Sequence, residues 1–235
     1  MHQGPVRVRL RPGPPDRRRV QLSAVARVTG IVLAGGRSTR FGRDKLAEPY
    51  RGAPLLHHAV LRLSEVCDEV VVVVAAAGGE PSLPPGVAAR VVRDPVPGQG
   101  PLVGLSAALE AARTHVALVA AGDMPELHAS VLREMLRVAA DAPVEALALR
   151  EGDRVRPLPC VVGVRRATTV ARALVGSGHR ALTDLLDALH VAAIDEATWV
   201  ALDPERRTLL DVDEPGDLDR AVEGLGTDAA APGSG

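Results

Sequence analysis

Short aliphatic runs alternate along the chain with stretches in which apolar residues recur every three or four positions. The runs predict buried strands, and the recurring spacing predicts amphipathic helices. The predicted strands are Gly30–Ala34, Val70–Ala75, Ala89–Val92, Val116–Ala121 and Leu158–Val164. The predicted helices are Pro54–Val66, Leu102–Arg113, Glu126–Ala140, Ala167–Val175 and Ala181–Leu189. This alternation predicts a three-layer α/β fold with a mainly parallel sheet.

The two ends of the chain differ in composition from the part between them. Residues 1–28 carry seven arginines and one acid, Asp16, with several prolines, so they have little apolar surface to bury. We therefore expect a disordered basic arm over 1–28, one folded domain over 29–225 and a disordered tail over 226–235. Because ligands of parallel sheets bind beyond the carboxyl ends of the strands, the loops that follow strands are where chemistry is expected.

Composition narrows the class of partner. The formal net charge of -1 argues against nucleic acid or a membrane surface, so small molecules are the expected ligands. No run approaches the ~18 apolar residues of a membrane helix, and the amino terminus lacks an apolar signal region, which predicts a cytoplasmic location. The two cysteines, Cys67 and Cys160, have no metal-ligand spacing, and we expect buried structural thiols.

The loop after the first predicted strand reads LAGGRSTRFGRDK, residues 33–45. Its glycines let backbone N–H groups approach an anion, and its basic side chains suit a polyphosphate. Lys45 is the only lysine of the chain. A compact ammonium suits a point-charge contact with phosphate, which makes Lys45 the leading candidate for that role. The alternative is a basic surface loop in which the lysine is incidental.

Acidic residues follow two other predicted strands. Asp123, in GDMP at 122–125, is placed to bind Mg²⁺ through one or two oxygens, or else to cap the helix expected near Glu126. Asp94 opens a Gly/Pro-rich loop and could accept hydrogen bonds from a purine, and amides near Gly100 could face an anion. An ordinary turn is the alternative there. Near the end of the chain, Asp213 is either a second metal ligand or a helix cap.

Together these residues resemble the molybdenum cofactor guanylyltransferase family (MobA-type), a branch of the sugar-nucleotide-like nucleotidyltransferases. The family motif L-A-G-G-x-S-x-R-[FM]-G-x-x-K is matched at every fixed position by residues 33–45. GPLVGL at 100–105 and GDMP at 122–125 follow in the family's order, and Pro157-Leu158 and GHRAL at 178–182 look like its acceptor-side segments. The resemblance spans about residues 28–222 and implies a three-layer, Rossmann-like nucleotidyltransferase fold.

The resemblance also implies roles for particular residues. Those implied to bind the nucleotide, through backbone or side chain, are Leu33, Ala34, Gly35, Gly36, Lys45, Asp94, Gly100 and Asp123. The groups implied to act in catalysis are Arg40, Lys45 and Asp123, with Mg²⁺ on Asp123. Arg180 and Asp211 would bind the acceptor. The implied reaction transfers GMP from GTP to the terminal phosphate of molybdopterin, and the product would pass to a molybdoenzyme or a cofactor-insertion partner.

Two departures from the family pattern bear on the base. The chain contains no asparagine, whereas the family often uses one after the second strand to read guanine. The family's late Asn-x-Asn-x-Pro segment is here DVDEP at 211–215, a form also typical of cytidylyltransferases. A cytidylyltransferase of the same fold, a GTP-dependent enzyme for a phospho-acid, and a non-catalytic nucleotide or cofactor carrier therefore remain alternatives.

Overall fold

The computed structural model describes residues 8–10, 27–35, 44–76, 79–94, 99–142 and 144–212. The strands are β1 (Val8–Leu10), β2 (Val28–Ala34), β3 (Pro49–Tyr50), β4 (Ala53–Pro54), β5 (Glu69–Val74), β6 (Ala89–Arg93), β7 (Val116–Ala121), β8 (Ala146–Glu151), β9 (Arg154–Gly163) and β10 (Val191–Ile194). The α-helices are α1 (Leu55–Ser64), α2 (Pro101–Ala111), α3 (Ala129–Asp141), α4 (Val164–Gly176), α5 (Leu182–Ala188) and α6 (Glu196–Val200). Short 3₁₀ turns lie at Lys45–Ala47 and Arg207–Leu209.

The main sheet has the strand order β1-β10-β8-β9-β7-β2-β5-β6. Strands β7, β2, β5 and β6 form a continuous parallel block, and β8 pairs parallel with β10. Strand β9 runs antiparallel to both of its neighbours, so it begins at the edge where the parallel strands end. The predicted α/β fold with a mainly parallel sheet is confirmed.

Helices cover both faces of the sheet, because the strands carry apolar side chains on each face. In β5, Val70, Val72 and Val74 belong to the core beneath α1 and α3, whereas Val71 and Val73 belong to the core beneath α2, α4 and α5. Residues of both cores are almost completely buried. Most of the side chains in the two cores are aliphatic, as the composition predicts.

Several elements differ from the predictions. Strands β8 and β10 and helix α6 were not predicted, and helix α3 begins at Ala129 rather than near Glu126. The alanine-rich sequences of β8 and β10 carry little strand propensity, so their pairing in the sheet decides their conformation. No helix in the described part of the chain is long and apolar enough to cross a membrane.

The expectation of a disordered arm over 1–28 does not hold for Val8–Leu10, which form β1, or for Val28, which begins β2. Strand β1 pairs antiparallel with β10, with Val8 opposite Ile194 and Leu10 opposite Ala192. Strand pairing uses backbone hydrogen bonds and does not require apolar surface, which the composition argument overlooked. The remainder of the arm before Arg27, and the tail over 226–235, lie outside the described residues.

Candidate nucleotide-binding site

Lys45 and Asp123 meet beyond the carboxyl ends of β2 and β7. The Lys45 ammonium donates a hydrogen bond to Asp123 Oδ2 at 2.7 Å, although the two residues are 78 positions apart in the sequence. Their side chains are only 12% and 24% exposed. The structure thus brings together the predicted phosphate-binding cation and the predicted metal-binding carboxylate. A charged pair at this depth is attracted more strongly than one in water.

Gly122 allows the Lys45 turn to approach Asp123. A Cβ atom at Gly122 would lie 3.2 Å from side-chain carbons of both Leu46 and Leu56, which is tighter than ordinary contact. The Gly122 N–H also donates to the Leu33 carbonyl at 2.9 Å, which ties the end of β7 to the end of β2. The carboxylate of Asp44 caps the 3₁₀ turn by accepting from the Leu46 N–H at 3.1 Å. Lys45 is therefore positioned by the small size of Gly122 and by the cap that Asp44 forms on its turn.

Asp123 does not cap the next helix. The residue at the start of α3 is His128, so the alternative of a helix cap does not apply to Asp123. Its backbone carbonyl accepts from the Val212 N–H at 3.0 Å, which brings the 203–212 segment beside the site. In the described part of the chain, no cluster of three or more His, Cys, Asp or Glu residues could form a metal cage. A lone carboxylate fits Mg²⁺, which keeps waters and substrate phosphates as its other ligands.

The predicted base-recognition residue, Asp94, is buried at the end of β6. Only 4% of the residue is exposed, and its N–H donates to the Val74 carbonyl at 2.8 Å. Its Oδ2 would be 3.7 Å from a Cβ atom at Gly104, so the carboxylate lies against the first turn of α2. Gly35 packs beside the end of β5, where a Cβ atom would be 3.5 Å from the Ala75 nitrogen. These residues therefore share the carboxyl edge of the sheet.

Gly100 and Arg180 lie in direct contact at the start of α2. Gly100 has a φ of +97°, and a Cβ atom there would come within 2.8 Å of the Arg180 carbonyl oxygen. That carbonyl accepts from the Leu102 N–H at 3.1 Å, so this amide already has a partner and is less suited to an anion. The Arg180 guanidinium donates to the Gln99 side chain and to the Val175 and His179 carbonyls at 2.8–3.0 Å. Arg180, which was predicted to bind the acceptor substrate, therefore holds the loop before α2 through these hydrogen bonds.

Asp211 contacts an arginine that sequence reasoning missed. Arg156, at the start of β9, places Nη2 3.2 Å from Asp211 Oδ2 and Nη1 3.4 Å from Glu151 Oε2. The pair borders the Asp123 loop, because the residue after Asp211 donates its N–H to the Asp123 carbonyl. The only sequence signal for Arg156 was its position directly before Pro157-Leu158. Gly36, Arg40 and Asp213 lie outside the described residues.

Fold and site together define a class of protein. A mainly parallel α/β sheet whose carboxyl edge carries a largely buried ammonium beside a carboxylate, with a glycine-rich sequence directly after β2, has the features of a nucleotide-binding protein.

Comparison with known proteins then identifies the family. Residues 30–194 match the MobA-like NTP transferase domain, and the chain belongs to this family. It is 36% identical to a probable molybdenum cofactor guanylyltransferase of Chloroflexus aggregans, over 85% of this chain and 96% of the relative. A relative of the same description from Mycobacterium avium is 38% identical, over 81% of this chain and 93% of the relative. The protein is thus a nucleotidyltransferase.

A solved structure shows the same fold. Molybdopterin-guanine dinucleotide biosynthesis protein A from Archaeoglobus fulgidus superposes with a TM-score of 0.69, at 24% identity. The match covers 83% of this chain and 97% of that protein.

Proposed function

We propose that this enzyme transfers GMP from GTP to the terminal phosphate of molybdopterin, releasing pyrophosphate and forming the guanine dinucleotide form of the cofactor. The observation that carries the proposal is the pair of Lys45 and Asp123, whose polar atoms are 2.7 Å apart at the ligand-binding edge of the sheet. The names and coverage of the relatives support the choice of nucleotide and acceptor.

Phosphoryl chemistry of this kind needs positioning and charge neutralisation more than covalent participation. The acceptor phosphate is already anionic, so attack on the α-phosphorus of GTP requires no protein base. Lys45 would neutralise charge that develops on the phosphate oxygens, and Arg40 would do the same. Asp123 would hold Mg²⁺, an ion that supplies charge neutralisation on the triphosphate when bound. We propose Asp213 as a second ligand of the same Mg²⁺ ion, beside Asp123.

The contact between Lys45 and Asp123 has a consequence for this mechanism. Asp123 Oδ2 accepts from the ammonium at 2.7 Å, so the carboxylate that would hold Mg²⁺ is the one that holds Lys45 in this structure, and the two cations would compete for it. An ammonium freed in this way would remain within reach of the triphosphate that the ion accompanies. The contact therefore keeps both side chains in place at the edge where we propose that the nucleotide binds.

Asp94 is proposed to read the base. A buried carboxylate can accept from both the N1–H and the exocyclic amino group of guanine, whereas cytosine offers only one such donor at its corresponding edge.

The remaining contacts with the two substrates are proposed from the family resemblance. The backbone of Leu33 and Ala34, together with Gly35 and Gly36, would contact the nucleotide. Arg180 and Asp211 would face the acceptor. We expect the reaction in the cytoplasm, with delivery of the product to a molybdoenzyme or a cofactor-insertion protein.

Pyrophosphate release from purified protein tests the assignment directly. We expect release only when GTP, Mg²⁺ and molybdopterin are all present, because transfer needs both substrates in line. Phospholactate supplied in place of molybdopterin gives the control for the alternative acceptor class and is expected to give no release. Release with phospholactate but not molybdopterin would contradict the proposed acceptor, and no release under any condition would favour a carrier.

A further inference from the structure

The hairpin formed by β3 and β4 carries the only tyrosine of the chain, Tyr50. The hairpin turns at Arg51 and Gly52, both with positive φ, as a tight two-residue turn requires. Tyr50 is 1% exposed, and its hydroxyl donates to Glu126 Oε1 at 2.5 Å. Burial raises the pKa of Tyr50 above its usual value, and the hydrogen bond to Glu126 and the charge of Glu126 raise it further. The phenol is therefore protonated and donates this bond at neutral pH.

Glu126 is a largely buried carboxylate, with 13% of its side chain exposed. Besides the phenol it contacts the Arg51 guanidinium, with Nη2 2.9 Å from Oε1. Arg207 adds a second positive charge, with Nη1 4.0 Å from Oε2. The Arg51 guanidinium also lies over the Tyr50 ring, 5.4 Å from its centroid. Two segments of the chain, the β3–β4 hairpin and the turn at Arg207, thus converge on one carboxylate.

This carboxylate lies in the same loop as Asp123, and Tyr50 follows Lys45 in the same segment. Two side-chain bridges therefore join the same two stretches of chain, one between Lys45 and Asp123 and one between Tyr50 and Glu126. Leu46 connects them, because it contacts Gly122 on one side and packs with the cluster of Tyr50, Leu55 and Val212 on the other. The two bridges and the packing between them therefore lie side by side between the same two stretches of chain.

We infer that the Tyr50–Glu126 pair is a positioning device, which holds the Lys45 turn against the Asp123 loop when the Lys45–Asp123 ion pair opens to admit the nucleotide and its cation. The inference rests on the proposed function for the identity of those ligands. A second bridge is needed because the first one must open during binding. Opening the first bridge removes the polar contact between Lys45 and Asp123 at the moment when both side chains must stay within reach of one triphosphate, and the packing of Leu46 and the second bridge then still join these segments.

Three variants separate positioning from simple stability. Tyr50→Phe removes the hydroxyl and keeps the ring, Glu126→Ala removes the acceptor, and Glu126→Gln keeps an oxygen that can still accept from Tyr50. Glu134→Gln is the matched control, because Glu134 is also a largely buried acid paired with an arginine, with Oε1 2.7 Å from Arg137 Nη2, on α3. Each variant is compared with the wild type in melting temperature, kcat, KM for GTP and the Mg²⁺ concentration for half-maximal rate.

The positioning role predicts a specific pattern. Tyr50→Phe and Glu126→Ala should lower kcat by roughly 10-fold and raise the Mg²⁺ requirement several-fold, since small misplacements of catalytic groups are costly. GTP affinity measured without Mg²⁺ should change less than about twofold, because the base site at Asp94 is not altered, and any rise in KM for GTP should appear only with Mg²⁺. Glu126→Gln should restore most of the rate, and Glu134→Gln should match the wild type. The double variant of Tyr50→Phe with Glu126→Ala should be no worse than the worse single variant.

Wild-type kcat and Mg²⁺ requirement in Tyr50→Phe and Glu126→Ala would overturn the inference. So would a loss that only follows the fall in melting temperature, with no change in the Mg²⁺ requirement. Calorimetry of GTP binding with and without Mg²⁺ provides a readout that does not need the acceptor. If the wild type transfers nothing to molybdopterin, the proposed function fails, while a smaller Mg²⁺-dependent gain in GTP affinity in Tyr50→Phe than in the wild type still supports positioning.

Discussion

Lys45 illustrates how one residue can be identified before the fold is known. It is the single lysine among 28 basic residues, and it stands at the end of a glycine-rich motif. Its choice of partner could not be predicted in the same way, because the contact with Asp123 depends on the pairing of β2 with β7. The motif identifies the chemistry of the residue, and the sheet determines its neighbour.

We predict that Lys45→Ala and Asp123→Ala each lower kcat by at least roughly 10²-fold, the scale of a lost electrostatic contact in the transition state. Lys45→Arg should restore the rate only in part, because a planar guanidinium cannot replace a compact ammonium. Steady-state kinetics and circular dichroism on each variant check this. Arg172→Ala serves as the control, because Arg172 pairs with Glu110 on the surface. A near-wild-type rate in either alanine variant would exclude this site.

Residues whose role depends on tertiary contacts were missed. Glu126, Tyr50 and Arg156 belong to no motif, and each acquires its place from segments distant in the sequence. Arg180 was predicted from the family resemblance, but its contacts with backbone carbonyls became visible only in the structure. Sequence reasoning thus found residues with a diagnostic spacing and missed residues that support them.

At the scale of elements, the amino end of the sheet carries a polar network. Glu69, at the start of β5, accepts from the Thr29 hydroxyl at 2.6 Å, from the Arg113 N–H at 2.9 Å and from Arg90 at 3.0 Å. Burial alone raises the pKa of Glu69, but these hydrogen bonds and the charge of Arg90 outweigh it, so the pKa of Glu69 is lowered. The network joins β2, β5, β6 and the loop before β7 at the end opposite the site.

This shift gives a pH dependence with a definite sign. A carboxyl group with a lowered pKa in the folded state contributes stability above its unfolded pKa of about 4.5, and the contribution is lost as pH falls through the lower folded value. We expect Glu69→Gln to reduce the free energy of unfolding by ~1–2 kcal/mol at pH 7. Urea titrations of both proteins from pH 7 to pH 3 should converge as pH falls below about 4.5. A constant or widening difference would contradict the ionic role of Glu69.

The apolar pattern predicted five strands, and each overlaps a strand of the structure. It failed at β8 and β10, where alanine provides little periodic signal, and at β1, where a basic segment pairs through its backbone. Helix starts were also displaced by several residues, as at α3, because the loop after Asp123 contains buried Met124 and Leu127 that resemble a first helical turn. Periodicity therefore predicted the layers better than the boundaries.

At the scale of the whole molecule, the central claim is that the carboxyl edge of this sheet binds GTP and passes GMP to molybdopterin. The family membership and the fold support a nucleotidyltransferase, and the choice of guanine rests on our proposal that the buried Asp94 reads the base. Cytosine offers Asp94 one hydrogen-bond donor where guanine offers two, and one lost hydrogen bond to a buried charged group costs ~1–3 kcal/mol, or about 10- to 150-fold in selectivity. A measurement of which base the enzyme selects therefore tests the proposal most directly.

A competition assay measures that property directly. The protein is given equal concentrations of GTP and CTP with Mg²⁺ and molybdopterin, and mass spectrometry identifies the nucleotide in the product. We predict at least about a 10-fold excess of the GMP-containing product, and a smaller excess with Asp94→Ala, because the buried acceptor is then lost. A product that contains mainly CMP would contradict the guanylyltransferase assignment.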